Sequence, residues 1–264
     1  MPPGRCLAHV VAHPDDDAYG IAGTVALHAD DPDFRFVLVH ASDGGAGDIR
    51  AGFPATRETL GRVRQQEDEN AWRAVGRPPD RHVWLGFPDG AIDQVPFDEL
   101  VAAIDAVLTA EQPTVVATFG PDGIFGHPDH IAVGAATDAA FLRHASPDGT
   151  SFRRLLHGAV PQSVFDRWNR QRGTLGLPLF DPTRTYDMRG VPDEEVGLTV
   201  DCRSVSDRIV AGLREHKSQL HVMSDDPDDI ERWRRVCSRE WFVVAWPPGT
   251  GEPAMLADVF DGLD

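Results

Sequence analysis

Three cysteines in 264 residues, Cys6, Cys202 and Cys237, are too few, too widely spaced and the wrong parity for a disulfide framework or a cysteine-rich zinc knuckle. Basic charge is also scarce. Against 42 aspartates and glutamates stand 25 lysines and arginines, and the formal charge of −17 argues against binding to nucleic acid or an anionic membrane surface, both of which need basic patches. No apolar run has the length of a membrane span, and no basic stretch followed by an apolar core opens the chain. A soluble, reducing, cytoplasmic setting is therefore expected. Internal repeats and low-complexity tails are absent, and no G-x-G-x-x-G follows the first strand, which removes the usual dinucleotide fingerprint.

What is present fits one α/β domain over 1–264, a Rossmann-like, mostly parallel sheet flanked by helices. Residues 1–150 form its core, and 151–264 complete the fold and shape the substrate pocket. The pattern reads as strand Cys6–Ala12, helix Asp16–Ala29 and strand Phe34–His40, followed by a helix over Arg57–Val75 and a strand over His82–Phe87. A helix over Phe97–Ala110 and a buried strand over Thr114–Phe119 come next. Beyond residue 150, strands are expected near 155–160 and 196–200, the second a candidate for antiparallel pairing. A helix is expected over 204–220, and helix then strand within 230–246. Residues 162–192, rich in Arg, Pro and Gly and without clear period, suit an irregular insert over a substrate site.

Two loops carry chemistry. The first strand runs into His13-Pro14-Asp15-Asp16-Asp17, with Pro14 preset for a helix start, His13 as the expected cap and His13 and Asp16 three residues apart on one face. The strand ending at Phe119 runs into a glycine-rich turn and then His127-Pro128-Asp129-His130. Strands of one parallel sheet deliver such loops to the same edge, so His13, Asp16 and His130 can form the open set of two histidines and a carboxylate that suits a catalytic zinc, whose bound water is acidified towards ~7. Asp15 can then take a proton, His127 can stabilise an oxyanion or protonate a leaving amine, and Asp129 can orient a histidine. The duller alternative is a pair of helix caps, and it is the repetition of the motif that favours metal chemistry. Two further positions have structural and functional readings side by side. Arg64 is the nearest partner for Glu67 on a buried stripe or a substrate contact, and Asp89 is a turn former or an acceptor for a sugar hydroxyl. The other histidines, His9, His28, His40, His82, His144, His157 and His221, are expected to be structural or exposed.

These paired motifs resemble the LmbE-like (PIG-L) family of N-acetylglucosamine de-N-acetylases, which includes the deacetylases of mycothiol and bacillithiol biosynthesis. Ser42-Asp43-Gly44-Gly45-Ala46-Gly47, Arg64 with Glu67, Ala71 and Gly76, and His216-Lys217-Ser218-Gln219 add to the resemblance, which covers most of the chain. It implies one zinc per chain on His13, Asp16 and His130, with Asp15 as general base and His127 as oxyanion stabiliser or acid. It also implies Arg64 and Asp89 against the sugar or its aglycone, and a small N-acetylated glycoside or related amide as substrate; the sequence leaves the oligomeric state, a homo-oligomer included, open. Two positions depart from the family pattern: Asp17 stands where Glu is usual, and Phe125 where some members carry a tyrosine that assists the carbonyl. Two rival readings stand beside this one. A metal phosphoesterase would hold two metals per chain, and a non-catalytic sugar- or metal-binding module on the same fold would need neither Asp15 nor His127.

Overall fold

The computed structural model describes residues 4–248 and 255–263. Its strands are β1 (Arg5–Val11), β2 (Phe34–His40), β3 (Arg81–Trp84), β4 (Val115–Phe119), β5 (Arg154–Gly158), β6 (Val196–Asp201) and β7 (Arg239–Trp246). They form one sheet in the order β3-β2-β1-β4-β5-β7-β6. The first five are parallel. β7 runs against both β5 and β6, so the reversed strand is β7, and β6 points the same way as the parallel set although its pairing is antiparallel. Helices cover both faces of the central strands, which is why these read as near-continuous apolar runs. β1 is exposed only at Arg5, and on β2 the fully buried Phe36 packs its ring 4.7 Å from that of Trp72.

The first helical stretch is broken in two, α1 (Asp16–Gly20) and α2 (Ala22–Leu27), where the sequence pattern predicts one continuous helix. The break at Ile21 frees the amino end of α2, and Glu240 of β7 reaches it. Its carboxylate accepts from Gly23 N (2.6 Å), Thr24 N (3.0 Å) and Thr24 Oγ1 (2.5 Å). A distant residue thus acts as a cap, which no local pattern could announce. The next helices, α3 (Leu60–Val75) and α4 (Phe97–Glu111), follow their apolar stripes. A short turn, α5 (Gly123–Gly126), leads into α6 (Pro128–Leu142), with Pro128 in its first turn.

In the carboxyl-terminal part, 162–192 is less irregular than its composition predicts. It opens with α7 (Gln162–Thr174), where Val164, Phe165 and Trp168 provide a narrow apolar stripe against Phe180, Met188 and Trp241. The helix expected over 204–220 is interrupted: α8 (Ser206–Leu213) ends before His216, and a short α9 (Leu220–Met223) follows. Between them Ser218 is claimed by Glu67, which accepts from Ser218 N (2.8 Å) and Ser218 Oγ (2.7 Å). Glu67 is therefore satisfied by Ser218, whereas the sequence offered Arg64 as its partner. Last come α10 (Ile230–Val236) and β7. Among the described residues, no helix is long and apolar enough to cross a membrane.

One topological fact positions the site. From β1 the chain moves to β2 and β3 on one side, then returns to lay β4 against the other side of β1. The loops after β1 and β4 therefore leave adjacent strand ends at the point where strand order reverses, the usual location of a ligand crevice in an open α/β sheet.

Candidate active site

The two His-Pro-Asp loops meet there. His13 Nδ1 lies 3.2 Å from Asp16 Oδ2 and 3.2 Å from His130 Nε2, and Asp16 Oδ2 lies 3.2 Å from His130 Nε2. The three atoms form a near-equilateral triangle. A tetrahedral ion with bonds of ~2.0–2.1 Å sets its ligand atoms about 3.3 Å apart, so the spacing fits zinc without rearrangement.

The outer nitrogens of both rings are also engaged. His13 Nε2 faces Asp129 Oδ2 (3.2 Å) and Asp89 Oδ1 (3.1 Å), which places its proton there and leaves the Nδ1 lone pair for the triangle. His130 Nδ1 donates to Gly123 O (3.2 Å), leaving Nε2 free for the same centre. Such outer partners fix tautomer and ring orientation at metal-binding histidines. Asp129 is itself held by Gly90 N (2.8 Å) and Ile92 N (3.0 Å). Burial opposes charge on His13, yet its hydrogen bonds with Asp129, Asp16 and Asp89 carry its pKa well above the usual histidine value. The surroundings call for positive charge at this point.

The loop geometry differs from the expected caps in an instructive way. His13 is not the cap of α1; Asp15 holds that position with φ 102°, and Asp16 accepts from His13 N (2.8 Å). The second loop is as the sequence predicts. His127 caps α6, its Nδ1 accepting from Asp129 N (3.1 Å). Its ring lies 4.8 Å from that of His13 and stacks 4.8 Å from that of His130. Burial first, then the neighbouring His13 and His130, lower the His127 pKa to about 4. A neutral ring whose Nδ1 accepts must carry its proton on Nε2, so His127 is a donor.

Residues 8–141, just over half of the chain, match the family described as PIG-L: GlcNAc-PI de-N-acetylase. The chain belongs to the PIG-L family. The 1D-myo-inositol 2-acetamido-2-deoxy-alpha-D-glucopyranoside deacetylase 2 of Saccharopolyspora erythraea is 28% identical over 288 residues, covering 97% of this chain and 99% of its own. In fold, the chain is similar to N,N'-diacetylchitobiose deacetylase from Pyrococcus horikoshii, with a TM-score of 0.59 at 20% identity over 91% of this chain and 84% of that one. It is comparably similar in fold to 4-carboxy-2-hydroxymuconate hydratase from Pseudomonas putida, with a TM-score of 0.62 at 17% identity over 94% and 100% of the two chains.

Within this PIG-L chain, Arg64 and Asp89 are turned inward. Arg64 is buried, donating from Nη1 to Gly44 O (2.8 Å) and from Nη2 to Pro14 O and to Asp15 Oδ2 (3.2 Å). Gly44 has φ +67°, and a Cβ there would collide with the guanidinium, so the glycine loop and Arg64 form one brace behind Asp15. Asp89 accepts from Ala46 N (2.6 Å) as well as facing His13. Despite burial, which raises it, the His13 contact brings Asp89 down to about 2. Burial pushes the Asp15 carboxyl up to about 7 against the pull of Arg64, with Asp16 pushing the same way as burial.

Both departures from the family pattern have local answers. The shorter Asp17 is fully buried and is met by donors that come to it, Trp72 Nε1, His40 Nε2 (3.3 Å) and Asp15 N (3.1 Å). At Phe125 the ring packs edge-on against His130, 4.7 Å away. A tyrosine nevertheless stands nearby: Tyr186, from the 162–192 segment, lies edge-on to His127 at 5.1 Å and donates its backbone N–H to Phe125 O (2.8 Å). Sequence reasoning missed Tyr186 because nothing local marks it. It also missed the company of His40 and His82, whose rings meet at 3.0 Å between Nδ1 and Nε2.

Proposed function

We propose that this PIG-L protein is a zinc-dependent hydrolase that removes an N-acetyl group from an amino-sugar-containing small molecule. The observation that carries the reading is the triangle of His13 Nδ1, Asp16 Oδ2 and His130 Nε2, with every edge at 3.2 Å. Those three residues would hold the ion, which supplies a Lewis acid and acidifies water. The donor set, two imidazoles and one carboxylate, suits zinc.

The chain's own groups divide the remaining steps. Asp15, half-buried beside the proposed ligands and steadied by Arg64, takes a proton from the attacking water. As the water oxygen bonds to the acetamide carbon, His127 donates from Nε2 to the carbonyl oxygen, because its Nδ1 is committed to capping α6. The C–N bond then breaks and Asp15 returns its proton to the departing nitrogen, giving acetate and a free amine. Asp129 and Asp89 keep His13 in its tautomer. In this account Arg64 and Asp89 serve as positioning residues, with their side chains spent on the loops rather than on the sugar.

The relatives' coverage of nearly the whole chain makes the N-acetylglucosaminide of 1D-myo-inositol the first substrate to try. The test is amine release from a panel of N-acetylglucosaminides including that one, with chelator and with added zinc. Release that chelator stops and zinc restores supports the reading. No release from any member by the zinc-loaded protein overturns it.

A further inference from the structure

A second group of imidazoles and carboxylate lies behind the first loop and takes no part in the chemistry above. His40 ends β2, His82 sits on β3 and Asp68 on α3. Their ligand atoms all lie within 4.8 Å of one another. His40 Nδ1 and His82 Nε2 are 3.0 Å apart, and His82 Nε2 lies 3.5 Å from Asp68 Oδ2. Asp68 is fully buried, with Asp17 as the carboxylate against it and His40 Nε2 3.8 Å from its Oδ1, and neither of its oxygens accepts a well-formed hydrogen bond from a nitrogen donor. A buried carboxylate without a donor is costly unless a cation or a proton satisfies it.

We propose that His40, Asp68 and His82 bind a second divalent ion of the zinc class. The arrangement repeats the logic of the first centre. His40 Nε2 faces Asp17 Oδ1 at 3.3 Å, which places its proton there and leaves the Nδ1 lone pair on the side of His82, as Asp129 does for His13. His82 is only partly buried, so an ion has a way in from the edge strand and a fourth position open to water. Asp17 links this centre to the loop bearing Asp15 and Asp16, through Asp15 N. No residue belongs to both sets, unlike the close-set pair of ions in a two-metal phosphoryl site.

The test is metal content of the full chain, stripped with chelator, reloaded with zinc and dialysed. Wild type should hold two ions per chain, His82→Ala one and His130→Ala one. Cobalt substitution should give two absorption components, of which His82→Ala removes one. One ion in wild type that survives His82→Ala overturns the proposal and leaves a proton on Asp68. One ion that survives His130→Ala but not His82→Ala supports it while overturning the first centre. His82 is partly exposed on an edge strand; should that variant fail to fold, His130→Ala decides, an ion retained there supporting the second centre and none overturning it.

Discussion

Asp15 and His127 each combine the chemical role proposed above with a backbone one, and substitutions can separate the two. Asp15 sits at φ 102°, where Asn is better tolerated than most residues, so Asp15→Asn should fold and retain metal while losing turnover by ~10²–10⁴-fold. Metal analysis beside the rate measurement checks this; unchanged turnover would remove Asp15 as the base. At His127, asparagine preserves a capping acceptor but not the ring donor. His127→Asn should lower kcat by ~10²–10³-fold with little change in thermal midpoint, whereas His127→Ala should also cost about 1 kcal/mol of stability. Equal stability losses in the two variants would show that the cap contributes nothing.

At the scale of elements, legibility followed locality. The loops bearing His13 and His127 could be read because apolar runs, Pro14 and Pro128 announce them locally. The split of α1 from α2 could not, because the group that caps the second half is Glu240, 217 residues from Gly23. Burial raises Glu240 from 4.5 to about 7 against its hydrogen bonds with Thr24 and Gly23. The folded chain therefore holds this proton more tightly than the unfolded chain. The contribution is fully present below pH 4.5 and is lost as pH rises through about 7. Urea midpoints from pH 5 to 7 should fall less steeply in Glu240→Gln than in wild type; parallel slopes would refute the shift. The same limit hid Tyr186, which a long segment carries to His127. Tyr186→Phe should lower kcat by about tenfold if its hydroxyl serves the carbonyl in place of the tyrosine absent at Phe125. An unchanged kcat would assign the ring to packing alone.

For the whole molecule, the shared fold of deacetylases and a hydratase means that the sheet does not choose the reaction; the side chains at the β1 and β4 ends do. Ions gripped only by the folded chain also stabilise it. At a free zinc concentration about 100 times the dissociation constant, one site adds about 2.7 kcal/mol, and chelation should lower the melting temperature accordingly. A melting temperature indifferent to chelator would mean that the centre does not hold its ion. The reversal of strand order between β1 and β4 also sets a schedule. His13 and His130 stand 117 residues apart, so a nascent chain has two of the three proposed ligands long before the third leaves the ribosome. Until β4 docks, those two can hold an ion only weakly, and the proposed centre comes into being late, in one step, with the closing of its central sheet.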